Sequence, residues 1–309
     1  MALSHLFYAI DGSIKVMKLG PIGIWTTTLD AQPAAMAQEA ARELERLGYA
    51  AIWIGESVRR EAFSNAGLLL AGTNRIVIAT GIANIYARDA LTMSAGQKTL
   101  AEAYPGRFLL GIGVSHQPNV EEVRGHTYGK PVATMRAYLD AMSKAPYQSV
   151  EPPEKPVTIL AALGPNMLKL AAERTDGAHP YFVPVEHTRL ARATLGPEAV
   201  LAPEQAVVLE TDPARARAIA RGHTQNYLRL PNYANNLRRL GYSEDDVAGS
   251  GTDRLVDDIV AWGDLDQVTS RIRAHLEAGA NHVSVQVLAE DLRTLPMDEW
   301  RVLAKQLLT

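Results

Sequence analysis

Short apolar runs alternate with longer stretches of helical period along almost the whole chain. Leu19-Gly-Pro-Ile-Gly-Ile-Trp25 reads as a first buried strand, and Pro33 suits the first turn of a following helix. From Ala34 to Leu47, apolar residues recur at Ala37, Ala40, Ala41, Leu44 and Leu47, a helical stripe closed by Gly48. Tyr49-Ala-Ala-Ile-Trp-Ile54 is a second strand, and Phe63 to Gly72 a second helix. Arg75-Ile-Val-Ile-Ala-Thr80 is a third strand too apolar to have a wet face, which predicts a parallel sheet covered on both sides. A helix over Leu91 to Tyr104 leads to a fourth strand, Arg107 to Gly113, then a loop and a helix from Pro131 to Met142. Val157 to Ala161 is the fifth strand, and Gly164-Pro165 opens the helix Asn166 to Arg174. Gly177 to Phe182 is the sixth, with a short helix Val185 to Leu195 after it, and Gln205 to Glu210 is the seventh. Asp212-Pro213 caps a long helix reaching about Leu228, and Asn232 to Gly263 reads as extra helices. Asp266 to Ala278 is helical, His282 to Leu288 is the eighth strand, and a last helix follows Pro296.

Eight strands, each trailed by a helix, fit either a closed (β/α)8 TIM barrel or a doubly wound open sheet. Eight units with no linker break favour the barrel. The expectation is one α/β domain over 1–309, with an N-terminal arm at 1–18 and a helical insertion over 230–263 after the seventh strand. A dinucleotide-binding open sheet needs GxGxxG early in a βαβ unit, and Gly20-Pro-Ile-Gly23 and Gly111-Ile-Gly113 do not supply it. The formal charge of -3 carries no signal for nucleic acid or an anionic membrane surface. With no cysteines, disulfides and thiolate metal sites are excluded, and the eight histidines lack HExxH spacing, so no metal is expected. Residues 1–18 lack the pattern of a signal peptide and no apolar run reaches spanning length, which predicts a cytoplasmic protein.

Barrels place chemistry at the C-terminal ends of their strands. Here those ends are rich in glycine, small polar and ionisable residues. Gly81, in Thr80-Gly-Ile-Ala-Asn84, permits a bulge or a close backbone approach to a ligand; a strand end needing a small residue gives the same pattern. Glu56 follows Ile52-Trp-Ile54 and stands at the mouth, either as an acid–base group or as the partner of an arginine. His116 follows Gly113-Val114-Ser115 and could relay a proton near neutral pH, or simply bond the loop backbone. Ala161-Ala162-Leu163-Gly164 precedes a helix N-terminus, a phosphate site that needs no lysine, or an ordinary tight turn. His179 and Tyr181 lie at the next end, where Tyr181 could flank a planar ring or pack. Arg238-Arg239 could meet an acidic ligand tail, although a solvated helix face is the simpler reading.

Five segments then stand in order: Leu47 to Glu56, Ile78 to Ile82, Tyr104 to Gly113, Ile159 to Pro165, and Glu277 to Val283. Through them, from about Leu19 to Leu288, the chain resembles the bacterial luciferase-like superfamily, and within it the deazaflavin (coenzyme F420)-dependent oxidoreductases. The resemblance implies a barrel, usually dimeric, with a non-prolyl cis peptide at Gly81–Ile82 pressed against the deazaflavin ring. It implies ring or ribityl contacts from Glu56, the bulge Gly81, Ile82, Ala83 and Asn84, and from Val114 and Ser115, with the phosphate held by Ala161 to Gly164. Related sugar-phosphate dehydrogenases carry Asp-His where this chain has Glu56-Ser57, and a glutamate where it has His116, which argues against their substrate. The expected activity is hydride transfer between the deazaflavin C5 and a small organic substrate, with His116 first and Glu56 second as proton-transfer residue. An FMN-dependent monooxygenase of the same superfamily and a non-catalytic cofactor-binding protein are the alternatives.

Overall fold

The computed structural model describes residues 19–289, 291 and 293–308, so the arm expected over residues 1–18 lies outside them. Its strands are β1 (Ile22–Trp25), β2 (Ala51–Ile54), β3 (Val77–Thr80), β4 (Ala83–Asn84), β5 (Phe108–Gly113), β6 (Val157–Leu160), β7 (Gly177–Ala178), β8 (Val200–Leu201), β9 (Glu204–Val208), β10 (Val260–Trp262) and β11 (Val283–Val287). All pair in parallel, in the order β10–β9–β11–β1–β2–β3–β5–β6–β7–β8, with β4 beside β5. β8 and β9 are separated only by Ala202-Pro203, so the sheet meets itself there. On one side Ala202 N donates to Ala178 O at 3.0 Å and Glu204 N to Pro180 O at 2.9 Å; on the other, Ser284 N donates to Pro203 O at 3.0 Å. The barrel is therefore closed, with β8 and β9 as two halves of its seventh strand. Pro203 has no N–H for the ladder and marks the break.

The helices are α1 (Ala34–Leu47), α2 (Ala62–Ala71), α3 (Ala90–Ala103), α4 (Pro131–Ser143), α5 (Pro165–Arg174), α6 (Val185–Leu195), α7 (Pro213–Leu228), α8 (Pro231–Arg239), α9 (Glu244–Val247), α10 (Asp253–Ile259), α11 (Leu265–Glu277) and α12 (Met297–Leu307). Strand residues alternate between two cores, as a period of two requires. Ile22, Ile24, Ile52, Ile54, Ile78, Leu110, Ile112, Val283 and Val285 pack outward against the helices. Trp25, Ala51, Trp53, Val77, Ala79, Leu109, Val157, Ile159, Ala206 and Val208 fill the interior. Two tryptophans fit there because their neighbours are small: a Cβ on Gly23 would stand 2.6 Å from His282 Nε2. Trp53 Nε1 donates to His282 Nε2 at 2.9 Å, which ties β2 to β11 through the barrel.

Three sequence expectations change. The stretch Asn232 to Gly263 is not all helical: Val260–Trp262 is β10, pairing with β9. Its short β-branched and aromatic run borrows a partner that exists only in the folded barrel. The sixth strand pairs only over Gly177–Ala178, and the loop after Pro118 contains a π-helical turn, Asn119–Val123. Among the described residues no helix is long and apolar enough to cross a membrane.

Candidate active site

β3 leaves the sheet at Thr80, and the chain returns as β4, with Ala83 opposite Ile112 and Asn84 opposite Gly113. Between them the Gly81–Ile82 peptide bond is cis. Three glycines permit this approach of backbones. A Cβ on Gly81 would lie 2.7 Å from Trp25 Nε1 and 3.1 Å from His179 Nε2; one on Gly111 would lie 2.1 Å from Thr80 O. One on Gly113 would meet Ile82 Cγ1 at 2.7 Å, so the Ile82 side chain lies over that glycine. Trp25 Nε1 donates to Gly81 O at 3.1 Å, and Thr80 Oγ1 donates to Gly111 O at 2.7 Å. Gly81 and Ile82 stay half-buried at the C-terminal mouth of the barrel, while Ala83 and Asn84 are buried.

Glu56 is engaged on both oxygens. Oε2 accepts from Asn84 N at 2.8 Å and Arg88 Nη1 at 3.0 Å; Oε1 accepts from Ala62 N at 3.2 Å and from Arg88 Nη2. The side chains of Arg88 and Glu56 are only 7% and 4% exposed. This carboxylate anchors the segment after the bulge. Asn84 Oδ1 accepts from Tyr86 N at 2.9 Å, leaving Nδ2 buried with no partner.

After β5, Val114 is half-buried and Ser115 takes a left-handed φ of 58°. That turn is pinned by Asn119 Nδ2, donating to Ser115 Oγ at 3.2 Å, and by Tyr128 OH, donating to Ser115 O at 3.3 Å. His116 then faces the inserted helix α8, its ring 5.5 Å from that of Tyr233. Burial lowers its pKa below the ordinary 6.5, against a side-chain hydrogen bond with Asn232 that favours the proton.

The remaining mouth residues divide into a turn and an aromatic wall. Ala161 N donates to Ile112 O at 2.9 Å, and Ala162 is buried. Leu163 O accepts from His187 Nε2 at 2.8 Å, and Gly164 is the N-cap of α5. His179 is deeper than its place in the sequence suggests. It is 1% exposed, stacks on Trp53 at 4.4 Å, and donates from Nδ1 to Ala202 O at 2.6 Å. Its Nε2, beside Gly81, is buried without a partner, and burial pushes its pKa down to about 4. Tyr181 OH donates to Gln286 Oε1 at 2.7 Å and accepts from Tyr227 OH at 2.9 Å. Tyr181, Phe182, His223, Tyr227 and Tyr233 pack ring against ring as one wall.

Glu204 escapes sequence reasoning. It is 2% exposed, with Oε2 accepting from Phe182 N at 3.2 Å and Oε1 unpartnered. Burial pushes its pKa up to about 8. The inward phase of Ala206 and Val208 is the one signal that could have placed it in the barrel. Tyr227 and Tyr233 come from helices far along the chain, and no local pattern marks them.

Residues 16–282 match the family described as luciferase-like monooxygenase. A Mycobacterium tuberculosis protein provisionally named a coenzyme F420-dependent oxidoreductase is 26% identical, over 90% of this chain and 98% of its own length. A solved F420-dependent secondary alcohol dehydrogenase, in complex with an F420–acetone adduct, superposes with a TM-score of 0.71 at 15% identity, over 93% of this chain and 97% of that one. The coenzyme F420-dependent tetrahydromethanopterin reductase from Methanopyrus kandleri superposes with a TM-score of 0.69 at 16% identity, over 94% and 98%. At these identities the two structures speak for the fold.

Proposed function

The chain belongs to the luciferase-like monooxygenase family, and on that premise we propose that it is a coenzyme F420-dependent oxidoreductase acting on a small organic substrate. The observation that carries this reading is the glycine-lined bulge at Gly81–Ile82, half-buried at the barrel mouth with His116 at the end of the adjoining strand. The name of the Mycobacterium tuberculosis relative supports F420 over FMN. When bound, the deazaflavin supplies or accepts a hydride at C5.

The residues present suit such a group. Gly81, Ile82, Ala83 and Asn84 would back the ring, with Val114 and Ser115 at its edge and Ala161 to Gly164 at the phosphate. Asn84 Nδ2 is a donor left over for it. Tyr181 closes the aromatic side, and His179 sits behind Gly81, supporting the bulge from within. We assign proton transfer to His116. Glu56 is a positioning residue in this reading, because both of its oxygens already hold Asn84, Ala62 and Arg88. Assembly as a homodimer belongs to the same proposal; a monomer by light scattering would remove it.

Titrating the apoprotein with F420 and with FMN tests the cofactor: saturable binding of F420 is expected, and binding of FMN alone would overturn it. His116→Ala should slow turnover by roughly 10²- to 10⁴-fold, the range of general acid–base catalysis, with cofactor affinity unchanged. An unaffected rate would remove His116 from the mechanism. Binding of F420 with no turnover of any donor or acceptor would favour a carrier protein.

A further inference from the structure

Residues 180–182, which carry the aromatic wall, are held from inside the barrel by Glu204. Its backbone N donates to Pro180 O at 2.9 Å, and its Oε2 accepts from Phe182 N at 3.2 Å. Between these two bonds the chain takes a conformation that bulky residues seldom adopt: Phe182 has a left-handed φ of 59°. Such a backbone persists only where its surroundings enforce it, and Glu204 supplies an acceptor to its N–H. From there the wall reaches both ends of the mouth. Tyr181 lies 5.1 Å from Trp25, the ring that holds Gly81 O. Phe182 stacks on Tyr227 at 5.2 Å and meets Tyr233 edge-on at 5.5 Å, and Tyr233 stands 5.5 Å from His116.

The Glu204 carboxyl serves this segment alone. It forms no ion pair among the described residues, and its Oε1 is buried with no partner. Burial, opposed by the bond from Phe182 N, pushes its pKa up to about 8. The groups that face it do not change charge near that value. Burial raises Tyr227 to about 12 and lifts Tyr181 and Tyr233 well above the ordinary 10, and a charge on Glu204 adds to each rise. Burial lowers His179, His223 and His282 to about 4, and His116 below 6.5. Ser284 and Gln286, on the neighbouring strand β11, do not titrate. Around pH 8 Glu204 is therefore the group of the wall that gains charge, and the carboxylate it forms has no cation paired with it among the described residues.

We propose that Glu204 is a positioning residue: by holding Phe182 from inside the barrel, it fixes the aromatic wall, and with it Tyr233, against His116 at the reacting end. This rests on His116 as the proton-transfer residue of the reading above. The protonated acid suits an enclosure of rings. The carboxylate does not, because it lacks a partner and the negative faces of the rings repel it. Ionisation therefore releases Phe182 from its bond, the wall shifts, and Tyr233 moves relative to His116. The reacting end acquires an alkaline limit, set by a group that lies behind the wall.

The test follows the His116 ring by NMR in the apoprotein, its resonance assigned by its absence in His116→Gln. The ring current of Tyr233, 5.5 Å away, makes that resonance a reporter of the wall. Wild type should show the titration of His116 itself below pH 6.5 and a second inflection near pH 8. Glu204→Gln keeps an acceptor for Phe182 N and does not titrate, so it should keep the resonance position at neutral pH and lose the second inflection. Tyr233→Leu should lose that inflection as well, although Glu204 remains. A wild-type resonance that stays level through pH 8 would overturn the proposal, and so would an inflection that survives in either variant. If Glu204→Gln does not fold, wild type and Tyr233→Leu still decide. No cofactor is added, so the outcome here and the outcome of the F420 titration are independent of each other.

Discussion

Replacing Glu204 with glutamine should make the protein increasingly more stable, relative to wild type, as pH rises. Glu204 sits inside the barrel at 2% exposure with a single hydrogen bond, Phe182 N to Oε2 at 3.2 Å. Burial lifts its pKa from 4.5 to about 8. In the unfolded chain the group loses its proton near 4.5, while the folded protein keeps it until about 8. Folding therefore takes up a proton between those values. The stabilising contribution is full below 4.5 and is lost as pH rises through 8, by about 1.4 kcal/mol per pH unit. From 4.5 to 7 that amounts to roughly 3 kcal/mol. Glutamine can accept the same Phe182 N–H but does not titrate. Its buried NH2 adds an offset of about 1–3 kcal/mol that is independent of pH. The pH slope of the difference is thus the diagnostic quantity. Urea unfolding of both proteins at pH 5, 6, 7 and 8 measures it. Every other titrating group is common to the pair and cancels. Parallel stability curves would refute the buried neutral acid.

Two further outcomes follow from the same kind of reasoning. Glu56→Gln removes one partner of the buried Arg88 pair and should cost about 3–5 kcal/mol in chemical denaturation at pH 7; a loss below about 1 kcal/mol would show that Arg88 is held by Glu61 instead. Acid should also destabilise the fold. His179, His223, His275 and His282 are held neutral by burial, with pKa values pushed down to about 4, 4, 3 and 4. Their contribution is complete above the unfolded value of 6.5 and is lost as pH falls toward those numbers. Together they lose about 5.5 kcal/mol per pH unit, of which the uptake at Glu204 offsets about 1.4. Urea midpoints that stay level from pH 6.5 to 5 would contradict this.

Much of the barrel is legible because its rules are local. Period-two strands such as Val77–Thr80 and the stripe Ala37, Ala40, Ala41 and Leu44 announce themselves within ten to fifteen residues, and all of these side chains are buried. Glycine at 81 and 113 likewise marks a close approach, since no other residue leaves the space. The sequence alone therefore determined eight strand–helix units and a group of small and ionisable residues at the strand ends. What it could not carry were the pairings that arise on closure. Whether Glu56 would be a free acid or the partner of Arg88 depended on a residue 32 positions away. Glu204 is an ordinary polar residue until Pro203 breaks the seventh strand and the closing sheet turns it inward. Arg239 keeps the exposed helix face that the sequence suggests, yet its guanidinium lies beside Gly164 only because α8 crosses from His116 to Gly164. Period and propensity act over a few residues. Burial, and with it the charge state and partner of each ionisable group, is a property of the whole closed barrel, and only the tertiary structure decides it.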